Sequence, residues 1–344
     1  MSPSPAVIIR GCREDDVPEL MAFLADHWRR DHVLARSRSL LDWQHRQPDG
    51  DFAYRVAHDG NGIAGVIGYI QASRYDPGLT DHDTLWIALW VVRADLRGTA
   101  LGLRLLDDVR TAVPHVSVAV NGINPDHPPM YRALGFTAVS LVQHFAVNAS
   151  VPRNLVAGPA GHRLPLLQPG SALSIELDGG TIDDANITPS DGPPKSPEYF
   201  RRRFLDHPFY AYRVHALSWQ GSTALLASRL ADHGGRRALR LVDFAGPAEV
   251  LAESGSVLSE LLNESEAEFV DLIEHGLPSA AVARTGLEPV DPDGPIIVPN
   301  YFEPLVLANS RPLCAYRTSL PVFRVFRADG DQDRPNVLPG DDDD

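Results

Sequence analysis

A chain of 344 residues exceeds one ordinary domain and fits two, and a hydrophobic content of 44% can form a substantial core. The formal net charge of −14 at pH 7 repels phosphate backbones and anionic lipids, which argues against nucleic-acid or membrane-surface binding. Two cysteines, Cys12 and Cys314, are too few for a disulfide framework. The first ten residues also lack the pattern of a signal peptide, so we expect a cytoplasmic protein.

The first 150 residues alternate between predicted strands and helices. Apolar residues at helical spacing after Pro18 predict a first helix, and Asp59-Gly-Asn-Gly62 predicts a hairpin turn. The run from Leu85 to Val92 is apolar on both faces and predicts a central strand. The other predicted elements are strands at 7–9, 52–58, 63–71, 116–120 and 137–147, and helices at 39–46, 101–113 and 128–134.

The second half repeats this order of elements. The tetrapeptide Ala-Tyr-Arg-Val occurs at 53–56 and again at 211–214, which favours a degenerate tandem duplication. Further strands are predicted at 212–218, 224–229, 238–244, 269–273, 296–302 and 313–326, and helices at 248–262 and 279–285. We therefore predict domains at 1–150 and 196–336, a Pro- and Gly-rich linker at 151–195, and a disordered acidic tail at 337–344.

The stretch after the central strand carries the clearest chemical signal. A short polar turn leads into Arg97-Gly98-Thr99-Ala100-Leu101-Gly102, where a helix begins. Small residues there let backbone N–H groups approach a ligand, and a helix N-terminus favours an anion. The pattern indicates a pyrophosphate site with Arg93, Arg97 and Arg104 as additional cations. Taken alone, a turn that needs glycine explains it equally well.

Two motifs in order resemble the GNAT (GCN5-related) acyltransferase family. Arg97, Ala100 and Gly102 are similar to its first cofactor signature, with Ala100 where the family usually has glycine. Asn124 followed by Met130-Tyr131-Arg132-Ala133-Leu134-Gly135-Phe136 is similar to its second. The resemblance covers residues 5–148. Together with the duplication it implies a mixed α/β protein of tandem GNAT-like folds, each a twisted mixed sheet flanked by helices.

The resemblance also implies a set of site residues. The co-substrate would be acetyl-CoA or a longer acyl-CoA, with no metal. Tyr131 would protonate the departing thiolate, since a phenol keeps its proton at neutral pH. For the general base we name His82 and Asp83, with a base acting through water as the alternative. The implied cofactor-binding residues are Trp90, Val91, Val92, Arg97, Gly98, Thr99, Ala100, Leu101, Gly102, Asn124 and Tyr131.

Catalysis would further require an oxyanion donor from the central strand. A backbone N–H near Trp90 or Val91 would polarise the thioester carbonyl, provided that the strand separates from its neighbour there.

The second half lacks the glycine loop. Asp243-Phe244-Ala245-Gly246-Pro247 stands where the corresponding helix would begin, and proline removes a donor while aspartate adds negative charge. We therefore expect acceptor binding in this half rather than a second CoA site. Acidic residues after 328 resemble part of a calcium loop without its glutamate, so we predict no metal there. Instead the carboxylates would hold a cationic amine or sugar hydroxyls and Arg334 a phosphate, although a solvated acidic turn explains the pattern equally well. The predicted substrate-binding residues are Trp86, Glu303, Asp329, Asp331 and Arg334.

The tandem arrangement and the sequence Asp-Gly-Asp-Gln-Asp-Arg-Pro-Asn at 329–336 resemble two-domain GNAT proteins of surface-polysaccharide biosynthesis. That resemblance implies an acyl-CoA-dependent N-acyltransferase acting on the amino group of a nucleotide-linked amino-deoxysugar. Acylation of a peptide or protein amine is one alternative, and a non-catalytic acyl-CoA-binding module is another. The expected partners are acyl-CoA and a small-molecule amine, without nucleic acid or membrane, and a homodimer is left open.

Overall fold

The computed structural model describes residues 7–330 and 332–338. The strands within these ranges are β1 (Ile8–Cys12), β2 (Phe52–His58), β3 (Ile63–Ile70), β4 (Thr84–Val92), β5 (Ser117–Asn121), β6 (Thr137–Ser140), β7 (Val142–Val147), β8 (Leu173–Leu177), β9 (Tyr212–Trp219), β10 (Ser222–His233), β11 (Arg236–Ala245), β12 (Phe269–His275), β13 (Glu288–Pro289), β14 (Tyr301–Phe302), β15 (Leu305–Val306), β16 (Leu313–Thr318) and β17 (Val325–Phe326). The helices are α1 (Val17–His27), α2 (Val33–Arg36), α3 (Arg38–His45), α4 (Leu101–Ala112), α5 (Pro128–Ala133), α6 (Pro197–Phe200), α7 (Ala248–Ala252), α8 (Gly255–Glu264) and α9 (Ser279–Arg284).

The first sheet has the strand order β1-β2-β3-β4-β5-β16-β6. All neighbours are antiparallel except β4 and β5, which run parallel. Helices α1 to α3 cover one face, where Leu20 and Leu40 pack with Leu89. Helices α4 and α5 cover the other, where Leu105 packs with Ile87. The apolar residues at helical spacing thus supply the two layers that enclose the sheet.

The second sheet repeats this plan in the order β13-β7-β12-β11-β10-β9-β8, with β11 and β12 parallel. Helices α7 to α9 pack on one of its faces. The repeated tetrapeptide lies in β2 and, after Ala211, at the start of β9, and each of these is the second strand from the corresponding edge. The predicted mixed α/β class with two twisted mixed sheets flanked by helices is therefore confirmed.

The two halves exchange a strand. β7 comes from the first half but lies between β12 and β13, and β16 comes from the end of the chain but lies between β5 and β6. The prediction of a single strand at 137–147 was wrong, because the chain leaves the first sheet at Leu141, whose N–H donates to the carbonyl of Pro312. Strand pairing thus crosses the domain boundaries that we predicted, and β8 lies inside the predicted linker at 151–195.

Three other predicted elements differ from the structure. The strand at 313–326 is interrupted at 319–324, which contains Pro321, a residue without an N–H to donate. The helix at 248–262 breaks near Gly255, because the segment at 168–172 crosses there and a Cβ on Gly255 would lie 1.9 Å from the carbonyl oxygen of Gln168. The strand at 296–302 shortens to β14, and Ile297 forms an isolated bridge to Ala157.

A further core joins the two halves. Trp86 of β4 and Ala119 of β5 belong to the same buried cluster as Val214, Leu225 and Ile273 of the second sheet. Across the described residues, helices that combine the length and the apolar character needed to cross a bilayer are absent.

Candidate active site

The parallel strands β4 and β5 separate in the middle of the first sheet. They pair at Thr84, Leu85 and Trp86, with Ser117, Val118 and Ala119 opposite, and then diverge. On its other edge β4 carries a bulge at Ala88, because Gly68 pairs with Leu89 while Tyr69 pairs with Ile87. Within the described chain, β4 beyond Trp86 therefore has no strand partner on the β5 side. The resulting wedge begins after Trp86, continues past Trp90 and Val91 along β4, and opens toward the glycine loop that follows this strand.

The glycine loop is exposed where β4 turns into α4. Gly98 has φ +80°, the left-handed conformation that favours glycine, and residues 97–100 are exposed. α4 begins without a side-chain cap. Among the described residues, the N–H groups of Ala100, Gly102 and Leu103 meet no acceptor. The loop thus presents free donors at a helix N-terminus, an arrangement suited to an anion.

The arginines beside the loop are held by the protein itself. Arg93 pairs with Asp59 at 2.5 Å and with Asp95 at 2.8 Å. The guanidinium of Arg97 donates to the carbonyls of Val92 at 3.2 Å and His27 at 3.3 Å. These contacts fix the path of the loop.

Arg104 and Gly102 complete the surroundings of the loop. Arg104 donates to the carbonyl of Val7 at 3.1 Å and stays exposed. A Cβ on Gly102 would lie 3.4 Å from the indole of Trp90, an ordinary contact distance, so this ring lies directly against the glycine position.

Tyr131 lies in α5 with its ring packed edge-on against Phe136, at 5.6 Å between ring centroids. It is 4% exposed. Burial, with a smaller contribution from Cys314 of the exchanged strand β16, raises the pKa of Tyr131 to about 12. The phenol therefore carries its proton at neutral pH. Asn124, just before α5, accepts a hydrogen bond from the N–H of Asp126 and is otherwise exposed.

The two candidates for the general base occupy different environments. Asp83 is 1% exposed, and its carboxylate accepts the N–H of Ala72 at 2.8 Å and the side-chain amide of Gln71 at 3.1 Å. Burial raises the pKa of Asp83. His82 is exposed and lines a small cavity with Trp86 at the start of β4. Asp83 thus organises the turn before β4, whereas His82 is open to the cavity.

The predicted acceptor residues near the chain end bind other parts of the protein. One oxygen of Asp329 accepts from the N–H of Phe326 and the other from Lys195 at 2.7 Å, and Lys195 also reaches Asp243 at 2.6 Å. Lys195 was missed because it lies in the predicted linker, where a lone lysine carries no pattern.

Glu303 and Arg334 are likewise engaged. Glu303 accepts from the hydroxyl of Tyr210 and from the N–H of Asn336, and Arg334 lies 2.9 Å from Nε2 of His32. Asp331 lies outside the described residues. Among those described, no group of three or more His, Cys, Asp or Glu side chains could hold a metal ion. The roles of Trp86, Glu303, Asp329 and Arg334 in acceptor binding stay predictions.

The second sheet has the same wedge, but the chain itself fills it. β11 and β12 pair only up to Leu241 and Leu272, and β11 carries the corresponding bulge at Val242. Strand β17 pairs with β12 inside this wedge, and the N–H of Ala328 donates to the carbonyl of Val242 at 2.9 Å. A ligand that binds between the strands therefore has room in the first sheet and not in the second.

A cavity of about 490 Å³ lies where β5 ends. Asn121, Gly122 and Asn124 of the first half line it together with Ile273 and Arg327 of the second. This volume is in the range of small-molecule sites.

The part of the chain that contains the glycine loop and Tyr131 also matches a known protein family. Residues 17–136, about a third of the chain, match the model of the acetyltransferase (GNAT) family. Among curated proteins, no sequence matches the chain.

Solved structures resemble most of the chain. A GCN5-related N-acetyltransferase from Anabaena variabilis is similar over 91% of this chain and 72% of its own, with TM-score 0.55 and 11% identity. A GCN5-related N-acetyltransferase from Kribbella flavida is similar over 92% of this chain and 72% of its own, with TM-score 0.52 and 13% identity. A probable N-acyltransferase from Enterococcus faecalis is similar over 91% of this chain and 73% of its own, with TM-score 0.52 and 9% identity. At identities this low, the similarity establishes the fold alone. The length of chain that is covered agrees with the tandem arrangement predicted from the duplication.

Proposed function

We propose that the chain is an N-acyltransferase, because residues 17–136 match the model of the acetyltransferase (GNAT) family. The chain transfers an acyl group from acetyl-CoA or a longer acyl-CoA to the amino group of a small molecule, a nucleotide-linked amino-deoxysugar. One observation carries the proposal. The wedge between β4 and β5 opens next to the free N–H groups of the glycine loop, and within the described residues this wedge is not filled by another strand, unlike that of the second sheet.

Binding follows from the groups that these elements present. The N–H groups of Ala100, Gly102 and Leu103 and the N-terminus of α4 would hold the diphosphate of CoA. The pantetheine arm would extend into the wedge, where β4 offers unpaired backbone groups beside Trp86. Asn124 borders the cavity at the end of β5 and would contact that arm.

The reaction is nucleophilic substitution at the thioester. The amine nitrogen forms a bond to the carbonyl carbon, the bond from carbon to sulfur breaks, and the thiolate leaves. Tyr131, which is protonated at neutral pH because burial raises its pKa, donates its proton to the thiolate as it leaves. The proton released by the amine passes to water, because His82 lines a separate small cavity at the start of β4 and would take it only through water. An unpaired N–H of β4 beyond the bulge at Ala88 stabilises the oxyanion.

The cavity supports a small acceptor with a polar group. It lies between the halves, beside Asn121 and Asn124, and Arg327 contributes a cation. A nucleotide-linked amino sugar combines an amine with negative phosphates, which matches this lining.

Binding and turnover are tested separately. We expect the backbone amides of residues 99–103 to shift in NMR titration with CoA. We also expect free thiol to form from acetyl-CoA when dTDP- or UDP-linked amino sugars are added. Undisturbed amides at 99–103 would overturn the CoA site. Thiol release only with peptide amines would indicate a peptide N-acyltransferase, and binding without release for any amine would indicate a non-catalytic module.

A further inference from the structure

Three arginines lie side by side beneath the cavity at the end of β5. Arg240 of β11 is 2% exposed, Arg229 of β10 is 8% exposed, and the side chain of Arg327 is 10% exposed. Asp333 accepts two hydrogen bonds from Arg229, both at 2.8 Å. A single oxygen of Asp271 accepts from Arg240 at 3.3 Å and from Arg327 at 3.0 Å. Three buried guanidinium groups thus share two carboxylates.

The cluster also leaves hydrogen-bond donors unused. Within the described residues, Nε of Arg240 and Nε of Arg327 are buried and meet no acceptor. Rotating Asp271, whose Oδ1 likewise has no partner, would change which N–H groups are satisfied but not the balance of charge. Burial and the adjacent Arg327 lower the pKa of Arg240 to about 9, so it is still protonated at neutral pH. An uncompensated buried cation destabilises a protein unless an anion joins it.

The rim of the cluster does not supply that anion. Glu303 and Arg334 line the pocket beside the arginines and contribute one charge of each sign. Glu303 already accepts two hydrogen bonds, from Tyr210 and Asn336. Among the described residues that line this pocket, the excess therefore remains positive.

The cluster opens toward the site of acyl transfer. Arg327 and Gln332 line the cavity of about 490 Å³ together with Asn121. They also line the adjoining pocket of about 50 Å³, where Arg240 lies. A molecule held there by a negative group can extend along the cavity to the end of β5, where the wedge begins.

We propose that Arg240 and Arg327 form an oxyanion subsite that holds a phosphate or carboxylate group of the acceptor, with the amine directed to the end of β5. A planar guanidinium fork suits either group, and a pair of forks suits a diphosphate. The assignment of the bound anion to the acceptor rests on the proposed function, whereas the binding of an anion between Arg240 and Arg327 does not.

The test measures anion binding to the full chain without acyl-CoA. Inorganic pyrophosphate and malonate are titrated separately by calorimetry. We expect saturable binding of at least one of them, and Arg327→Gln should weaken it about tenfold or more. The tighter anion identifies the group as phosphate or carboxylate. Arg236→Gln, an exposed arginine on the same strand as Arg240, is the matched control and should bind like the wild type.

Arg240→Gln should act like Arg327→Gln, with circular dichroism as the check on folding. If that variant does not fold, Arg327, the most exposed of the three arginines, decides the result. Absence of binding for both anions, or equal binding by the wild type and Arg327→Gln, would overturn the subsite. Acceptor KM should rise in Arg327→Gln while KM for acyl-CoA stays constant. Anion binding without acyl transfer to any amine would instead contradict the proposed function and leave the subsite standing.

Discussion

The side-chain amide of Asn121, the last residue of β5, donates to the backbone carbonyl of Asp329 at 3.2 Å, although 208 residues separate the two. The same amide reaches the carbonyl of Phe326. The carboxylate of Asp329 binds Lys195, which in turn binds Asp243 of β11. The segment that contains β17 fills the wedge of the second sheet. Through Asn121 it is also hydrogen-bonded to the end of β5, at the edge of the wedge in the first sheet.

The exchanged strands predict that neither half folds alone. A fragment of residues 1–150 lacks β16 and leaves β5 and β6 without their common neighbour. We expect it to unfold without a cooperative thermal transition by circular dichroism, because the missing central strand exposes buried surface on both sides. A full chain cut by an inserted protease site within residues 159–163, an exposed loop, should remain assembled. Cooperative melting of the isolated fragment would contradict the exchange.

Asp243→Asn should change how stability depends on pH. Burial raises the pKa of Asp243, although Lys195 opposes this. The folded pKa lies above the unfolded value near 4, so the contribution of this group to the free energy of unfolding is present at low pH and lost as pH rises through the folded pKa. As pH rises from about 4 to neutral, the variant should therefore become more stable relative to wild type.

Denaturant unfolding of both proteins at several pH values measures this difference. Asp184→Asn, an exposed carboxylate, serves as the control and should follow the wild type. A difference between Asp243→Asn and wild type that does not vary with pH would show that Asp243 keeps an ordinary pKa.

Tyr131→Phe should lower kcat by about 100-fold while the Kd for acyl-CoA changes little, because the phenol acts only as the thiolate leaves. Stopped-flow or steady-state thiol release gives kcat, and calorimetry gives Kd. Tyr69→Phe removes a hydroxyl from a tyrosine packed on the same core and should keep full turnover. Equal turnover in both variants would exclude Tyr131 from the mechanism.

Gly102→Val should weaken CoA binding by about tenfold or more. A branched side chain there stands beside a free N–H group and presses on Trp90, which lies 3.4 Å from the position of the Cβ. Leu103→Val introduces the same branched residue at the next, exposed position and should bind CoA nearly as well as wild type. Unaltered affinity in Gly102→Val would place the diphosphate elsewhere.

Much of the first half could be predicted from local patterns. The strand predicted at 52–58 matches β2 residue for residue, and the turn at 59–62 joins β2 to β3 as expected. The position of the glycine loop before α4 also follows from residues that are close in sequence. The buried cations were missed, because Lys195, Arg240 and Arg327 show their partners only when distant segments meet.

The amino-acid sequence by itself determined most elements of the first half and the order of the cofactor motifs, because helical and strand periodicity and turn residues act over a few positions. The tertiary structure decided which strand completes each sheet, since backbone hydrogen bonds of a strand do not specify a particular partner. It also decided that β17 fills one wedge and not the other, and that Arg240 and Arg327 face one cavity. These outcomes depend on packing between residues far apart in the chain, which local patterns do not encode.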